Sequence, residues 1–359
     1  MIYAVVMAGG SGTRFWPRSV KQKPKQFHRL FGEETLLQAT FERLDDLVPR
    51  ENHLVVTNDQ YVTTVREQLP YLQKGRVIAE PMPRNTAPCV AAAAQLLLNK
   101  DPEALMLVLP ADHFIADQSR FREVLSAAVD VANNRRTLVT IGIRPDRPET
   151  GYGYIRYDKR EESAEDRLQA VPVQNFTEKP DPETARSFLK AGNYLWNSGM
   201  FVWRADVILE SFRQHQPEIY ESLKVLRGEG VGQEEVNRFY RDVFSISIDY
   251  GIMEHAENVE VLPGEFGWSD VGSWQAVHML GENDANGNVV NGGGPFLSVD
   301  SSDNLVETEN GKLVALVGVE QIAVVETGQA ILVCNLSRSQ DVRSIVDQLK
   351  ANSSLSEYL

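Results

Sequence analysis

Tyr3-Ala4-Val5-Val6-Met7-Ala8 runs into Gly9-Gly10-Ser11-Gly12-Thr13-Arg14, with Pro17 and Lys23-Pro24-Lys25 close behind. The apolar, β-branched opening predicts a buried strand over 3–8. The glycines that follow reach positive φ cheaply and let backbone N–H groups approach a ligand. Successive N–H groups in such a turn form an anion-binding nest. Arg14 and Lys25 add fixed positive charge, so the loop reads as a phosphate cradle. It is neither of two common cradles. A P-loop ends in Gly-Lys-Ser/Thr, and here Thr13-Arg14 follows the last glycine. A dinucleotide fingerprint is G-x-G-x-x-G, and Phe15 stands where its third glycine belongs.

Working outward, the chain has 359 residues and is 42% hydrophobic, enough for one large domain and a smaller one. Its net charge of -14, from 36 basic and 50 acidic residues, argues against general nucleic-acid or anionic-membrane binding. The two cysteines, Cys89 and Cys334, fit a reducing compartment and neither a disulfide framework nor a zinc site. No apolar run approaches membrane-spanning length, and the first strand begins at once, without a leader pattern. A cytoplasmic protein is expected.

Strand-like runs at 3–8, 53–57, 76–80, 104–109 and 137–143 alternate with helical patterns at 60–69, 86–99 and 118–134. Leu37, Phe41, Leu44 and Val48 predict a further helical face. This alternation predicts an α/β fold with a doubly wound, mostly parallel, Rossmann-like sheet. Ligands in such sheets sit outside the carboxyl ends of the strands. Gly9, Glu80 and Asp112 all fall there. Further on, 151–157 reads as an aromatic strand, 158–167 as an exposed hairpin or loop, and 171–179 as a returning strand. Helices are expected at 205–212, 216–226 and 233–242. From about 285 the character changes. Gly287 and Gly292–Gly294 mark a loop-rich boundary, then short β-like runs at 304–308, 312–319, 322–326 and 330–334 precede a helical tail at 341–350. The expected division is 1–284 and a small β-rich domain, 285–359, with no repeat of constant length and a role in packing or subunit association.

Several acids fall where chemistry can use them. Asp112 ends the strand of Leu109-Pro110-Ala111-Asp112-His113, and Asp270 lies in Gly267-Trp268-Ser269-Asp270-Val271-Gly272. Two carboxylates suit Mg²⁺, a hard cation completed by water and substrate phosphates. Each Asp is equally explained as a turn or N-cap residue. His113 points to the opposite face if the strand stays extended, so a structural role is expected for it. Phe176-Thr177-Glu178-Lys179-Pro180 ends another strand. Glu178 can accept sugar hydroxyls and Lys179 can hold a phosphate as a point charge, or the two form an ordinary ion pair. Asn197 and the Tyr152-Gly153 turn offer further polar contacts. In Glu80-Pro81-Met82-Pro83-Arg84-Asn85-Thr86-Ala87-Pro88, helix capping explains Thr86 and Pro88. It leaves Glu80 and Asn85 without a role. A carboxylate accepts the two adjacent donors on guanine's pairing edge.

Together these motifs resemble the sugar-1-phosphate nucleotidyltransferases, and among them the mannose-1-phosphate guanylyltransferase family, across roughly residues 1–280. The resemblance implies transfer of GMP from GTP to α-D-mannose 1-phosphate, giving GDP-mannose and pyrophosphate. It implies Arg14, Lys25, Asp112 and Asp270 as the catalytic set, with Mg²⁺ or another divalent cation on Asp112 and Asp270. It implies nucleotide contacts from Ala8, Gly9, Gly10, Gly12, Thr13, Glu80, Asn85, Thr86, Pro110 and Asp112. Sugar-phosphate contacts are implied from Gly153, Glu178, Lys179 and Asn197, and Asp249 is implied to orient Lys25 or Lys179. A homodimer is expected. Arg18 departs from the family's usual apolar residue after the proline, and the chain ends before the cupin-like isomerase domain of long members. The competing readings are a glucose-1-phosphate enzyme using dTTP or UTP, a non-catalytic sugar-nucleotide sensor and an NAD-dependent oxidoreductase.

Overall fold

The computed structural model describes every residue except Ser11, residues 159–167 and Asn310. The hairpin expected at 158–167 therefore lies, beyond Asp158, outside the described residues.

In chain order the elements are β1 (Ile2–Met7), α1 (Leu36–Glu42), β2 (His53–Asn58), α2 (Val62–Gln68), β3 (Val77–Glu80), α3 (Thr86–Leu98), β4 (Leu105–Pro110), β5 (Phe114–Ile115), α4 (Gln118–Arg135) and β6 (Leu138–Ile143). There follow β7 (Tyr154–Tyr157), β8 (Val171–Thr177), α5 (Pro182–Ala191), β9 (Tyr194–Arg204), α6 (Ala205–His215), α7 (Pro217–Ser222), α8 (Gln233–Asp242), β10 (Val259–Gly264), β11 (Trp268–Ser269) and α9 (Trp274–Leu280). Six short strands close the chain, β12 (Val289–Asn291), β13 (Phe296–Val299), β14 (Leu305–Thr308), β15 (Val314–Val317), β16 (Ile322–Glu326) and β17 (Ile331–Asn335), before α10 (Val342–Ala351).

These elements form two compact units. The first comprises Met1–Gly9, Thr40–Ala111 and Ile115–Trp268. Its nine-stranded sheet has the order β3-β2-β1-β4-β9-β6-β10-β8-β7. β1, β2, β3 and β4 are mutually parallel, as are β6 and β10. The chain winds outward from β1 to β3 and returns to β4 on the other side of β1. That reversal is the topological switch point of a doubly wound sheet. β9 enters antiparallel between β4 and β6. Tyr3 and Val5 share a buried core with Val90, Ala93 and Leu97 of α3 and Ile208 of α6. Ala4 and Val6, on the opposite face, are equally buried. The run of small residues Ala91–Ala94 lets α3 lie close to its neighbours. Asn85 caps α3 by accepting from the Thr86 N–H at 2.9 Å, and Asp117 caps α4 through the Arg120 N–H at 2.9 Å. The helical face expected through Val48 is shorter than read, since α1 stops at Glu42. Leu44 and Val48 are still buried, but on tight turns closed by Leu44 N–H to Phe41 O (2.9 Å) and Val48 N–H to Leu44 O (2.8 Å). Pro49 disfavours helix at the residue before it.

The second unit gathers Gly10–Ala39, Asp112–Phe114 and Ser269–Leu359. Its C-terminal part is a short β-helix. β12, β14 and β16 stack in parallel, β13 pairs in parallel with β15, and β17 closes the stack antiparallel to β16. Of the glycines read as a loop boundary, Gly292–Gly294 form the corner between β12 and β13. Coils do repeat here. They are unequal in length, Val289 stacking on Leu305 and Leu305 on Ala323, so no constant period shows in the sequence. Asn288 and Asn304 form a buried ladder at one corner. Asn304 Nδ2 donates to Asn288 Oδ1 (2.9 Å) and to Val319 O (3.1 Å), while its Oδ1 accepts from the Ile322 N–H (3.0 Å). The same unit has a core in which Phe15, Trp16, Leu30 and Leu36 of the N-terminal loop region join Trp274, Leu305, Val325, Val342 and Val346.

Because Asn304 is fully buried, Asn304→Ala strands the Val319 carbonyl and the Ile322 N–H without partners. It is expected to cost about 2–4 kcal/mol, read as a lowered midpoint in urea denaturation. A loss below about 0.5 kcal/mol, the range of ordinary surface changes, would deny the ladder its structural role.

Candidate functional site

In the second unit the glycine loop ends in a single turn, Thr13–Phe15. Gly12 has φ 57°, and a Cβ there would stand 2.7 Å from Lys25 Cβ and 2.9 Å from Lys25 N. Only glycine fits this close approach in a left-handed backbone. Gln26 Nε2 donates to Gly10 O at 3.1 Å, fixing the loop's first half. Lys25, only 4% exposed, donates from Nζ to Asp112 Oδ2 at 3.0 Å and to the Asp270 backbone carbonyl at 2.5 Å. One ammonium thus brings together the two acids that the sequence placed far apart. Arg14 belongs to the same group. A Cβ on Gly272 would lie 3.1 and 3.3 Å from the two Asp270 carboxylate oxygens and 3.4 Å from Arg14 Nη1. Burial works against the charged form of Asp112. The charges of Lys25, His113 and Arg14 outweigh it and hold the carboxyl below its usual range. His113 Nε2 is 4.0 Å from Asp112 Oδ1, so the ring does not turn away as an extended strand would make it do. With only two carboxylates, this group can hold a cation whose shell is completed by water and phosphate oxygens. Among the described residues, no cluster of three or more His, Cys, Asp or Glu side chains forms a closed metal cage.

In the first unit, Ala8 and Gly9 leave β1 at the switch point. Ala8 N–H donates to Val56 O and Thr57 Oγ1 donates to Ala8 O, both at 2.8 Å. The Ala111 N–H extends the β1–β4 ladder past Pro110 by donating to Met7 O at 3.0 Å. Glu80 ends β3, and its Oε2 is 3.2 Å from where a Cβ on Gly9 would be. Burial pushes the Glu80 carboxyl up to about 7, against the pull of the neighbouring Tyr240 hydroxyl. Tyr240 lies far off in the sequence, and no motif marked it. Asn85 and Thr86 are engaged within the fold, Asn85 as the cap of α3 and Thr86 by accepting from the Ile248 N–H on its hydroxyl at 2.8 Å.

A second group in this unit gathers all four residues read as sugar-phosphate contacts. The β6–β9 pairing shifts register between Thr140 and Gly142, so β9 bulges over Asn197–Met200. Bulges re-aim side chains, and here Thr140 Oγ1 donates to Asn197 Oδ1 at 3.0 Å. Asn197 N–H donates to Gly153 O at 2.8 Å. Gly153 leaves room for the Glu178 carboxylate, which a Cβ 2.5 Å from its Oε2 would push aside. Lys179 Nζ donates to Glu178 Oε1 at 2.7 Å. Asp249, which the resemblance implied as orienting Lys25 or Lys179, joins the group by accepting from Asn197 Nδ2 at 2.8 Å. Burial, with the Glu178 charge added, raises the Asp249 carboxyl to about 7. Tyr152 packs edge-on against Trp196 and Trp268 at 5.2 and 5.3 Å and walls this group with rings.

The chain matches the nucleotidyl transferase family over residues 3–287 and a MannoseP isomerase/GMP-like beta-helix domain over 294–349. It is 43% identical to a mannose-1-phosphate guanylyltransferase of Salmonella montevideo, over 98% of this chain and 74% of that one. It is 41% identical to the alginate biosynthesis protein AlgA of Pseudomonas aeruginosa, over 97% and 72%. A crystal structure from Thermus thermophilus, described as a mannose-1-phosphate geranyltransferase, is 37% identical and superposes with a TM-score of 0.87 over 97% of this chain and 99% of that one. Sequence, sheet and β-helix agree, and the chain belongs to the nucleotidyltransferases, in the mannose-1-phosphate guanylyltransferase family.

Proposed function

We propose that this protein transfers GMP from GTP to α-D-mannose 1-phosphate, releasing pyrophosphate and forming GDP-mannose. The observation that carries the reading is the buried Lys25 ammonium held by Asp112 and Asp270 beside a glycine-rich loop. A phosphate oxygen of mannose 1-phosphate attacks the α-phosphorus of GTP in line, and the bond to the β-phosphate's bridging oxygen breaks as pyrophosphate leaves. The sugar phosphate is already an anionic nucleophile, so no side-chain nucleophile or general base is required. The barrier comes from bringing anions together and from charge on the α-phosphate and the leaving group. Positioning and electrostatic stabilisation lower it. Arg14, Lys25 and the N–H groups of Gly9, Gly10, Gly12 and Thr13 face the nucleotide phosphates. Ala8, Asn85, Thr86 and Pro110 line the nucleotide's side, and Glu80 accepts the guanine donors. Glu178, Lys179, Asn197 and Gly153 take mannose 1-phosphate. Asp112 and Asp270 would hold a divalent cation such as Mg²⁺, which would neutralise phosphate charge and template the reactants.

We also assign residues 1–284 to catalysis and 285–359 to a β-rich domain, and place the enzyme in the cytoplasm as a homodimer. The exposed apolar side chains Leu297, Val299 and Val317 on paired β13 and β15 support self-association. The experiment that tests the function is pyrophosphate release across five nucleotides and several sugar phosphates. GTP with mannose 1-phosphate is expected to give the highest kcat/KM, and a preference for dTTP or UTP with glucose 1-phosphate would overturn the reading.

Chelation of divalent cations is expected to abolish turnover. Asp270→Asn should lower kcat by about a hundredfold or more while circular dichroism stays native. Wild-type kcat in that variant would remove Asp270 from the metal site.

Glu80→Gln keeps shape and removes charge, so GTP efficiency should fall roughly ten- to a hundredfold and the gap between GTP and dTTP should narrow. The pH profile adds a signature. Glu80 takes up a proton as pH falls through about 7 and loses its charge as acceptor. At saturating mannose 1-phosphate, kcat/KM for GTP should therefore decline on the acid side of about 7, and that limb should vanish in Glu80→Gln. A variant with an unchanged GTP/dTTP ratio and an unchanged acid limb would mean that guanine is read elsewhere.

A further inference from the structure

Arg18 lies in the phosphate loop, between Arg14 and Lys25, and its side chain reaches the β-helix. Its guanidinium meets the Glu307 carboxylate on β14 and lies 3.7 Å from Glu309 Oε1. The Arg18 side chain is 14% exposed and that of Glu307 is 1% exposed. A carboxylate so deeply withdrawn from water needs a counter-charge, and Arg18 supplies it. The loop is tied to the C-terminal segments at three more points. Trp16 Nε1 donates to Tyr358 O at 2.7 Å, Arg14 Nη1 donates to Gln340 Oε1 at 3.3 Å, and Phe15 sits edge-on to Trp274 at 5.0 Å. From Arg18 the contact chain leads back to the site. The Ser19 N–H donates to Phe15 O at 2.9 Å. The Ser19 hydroxyl is 3.3 Å from where a Cβ on Gly12 would stand, and Gly12 backs directly onto Lys25.

We propose that the β-helix is a positioning element of the phosphate loop, with Arg18 and Glu307 the pair that sets where Arg14 and Lys25 present their charge to the nucleotide. Apolar contacts such as Phe15 on Trp274 hold the loop down but leave it free to slide. A guanidinium and a carboxylate held together out of water resist separation, and their pairing fixes the loop's place along β14. A shift of 1 Å in a positioning group can cost about a hundredfold in rate, so a small error here is felt at the phosphates. The proposal rests on guanylyl transfer as the reaction.

Steady-state kinetics of Glu307→Gln, Arg18→Leu and the double variant Arg18→Leu/Glu307→Leu test it, with the melting temperature of each recorded. Wild-type enzyme is assayed first, and failure to turn over GTP with mannose 1-phosphate would reject the functional reading itself. Given turnover, each single variant should raise KM for GTP about tenfold, the worth of one charge-assisted contact, while KM for mannose 1-phosphate stays within about twofold. The double variant leaves no unpaired buried charge and should melt closer to wild type, but it lacks the pair and should keep the raised KM for GTP; a wild-type KM for GTP in it would overturn the proposal. If the single variants melt earlier but keep the wild-type KM for GTP, or if both KM values move together, the pair is only structural and the proposal falls. Should Glu307→Gln fail to fold, the milder Arg18→Lys, which keeps the charge and loses the fork, carries the same expectation, and a wild-type KM for GTP in that variant overturns the proposal in the same way.

Discussion

The Lys25 ammonium is the constraint around which the second unit is built. At 4% exposure it is nearly out of water, where an uncompensated charge is expensive. Its partners come from two distant chain segments, a carboxylate from Asp112 and a carbonyl from Asp270. The segments that carry Lys25, Asp112 and Asp270 must therefore converge, and the unit is accordingly discontinuous in sequence. The arrangement also fixes Gly12, since any side chain there would displace Lys25. An ammonium satisfied in this way keeps its charge in a fixed place, which phosphate chemistry can use without reorganisation at the moment of reaction.

The carboxylates of the first unit show the same physics with other partners. Glu80 and Asp249 are both buried and both raised to about 7. Glu80 has the Tyr240 hydroxyl drawing it down, and burial outweighs that pull. Asp249 has Lys179 and Asn197 drawing it down, but burial and the Glu178 charge push the other way. In each case a ligand that brings donors would favour the ionised form. Each acid is therefore better suited to reading hydrogen-bond donors than to standing charged without them.

What the sequence made legible follows from what is local. The buried run of β1, the glycine turn and the β-α alternation all depend on near neighbours, and each was readable at its own position, whereas the cap of α3 falls on Asn85 and not on Thr86. The grouping of Gly153, Glu178, Lys179 and Asn197 came from the family resemblance, and Asn197 lies within β9 rather than at a strand end. The bulge that aims Asn197 was not readable. It is a property of the β6–β9 register, set by residues some sixty positions apart. Tyr240 beside Glu80 and Arg18 on Glu307 are likewise side-chain meetings that leave no periodic trace. The β-helix escaped for a related reason. Its coils differ in length, so the stacking of Val289, Leu305 and Ala323 has no fixed spacing to detect.

That β-helix also explains why a buried glutamate can serve as an anchor at all. A carboxylate on a yielding loop would relax toward water, and its grip on Arg18 would weaken as it did so. Glu307 sits on β14, hydrogen-bonded in parallel on both sides by β12 and β16. Asn304, three residues earlier, is locked by bonds to Asn288, Val319 and Ile322. The backbone beneath Glu307 is over-determined, so the carboxylate cannot retreat, and the energy of its pairing is spent on holding Arg18 in place. A stacked coil with an amide ladder is rigid without needing length, and four residues of β14 suffice. The charge geometry of the phosphate loop is thus inherited from hydrogen bonds made almost three hundred residues further along the chain.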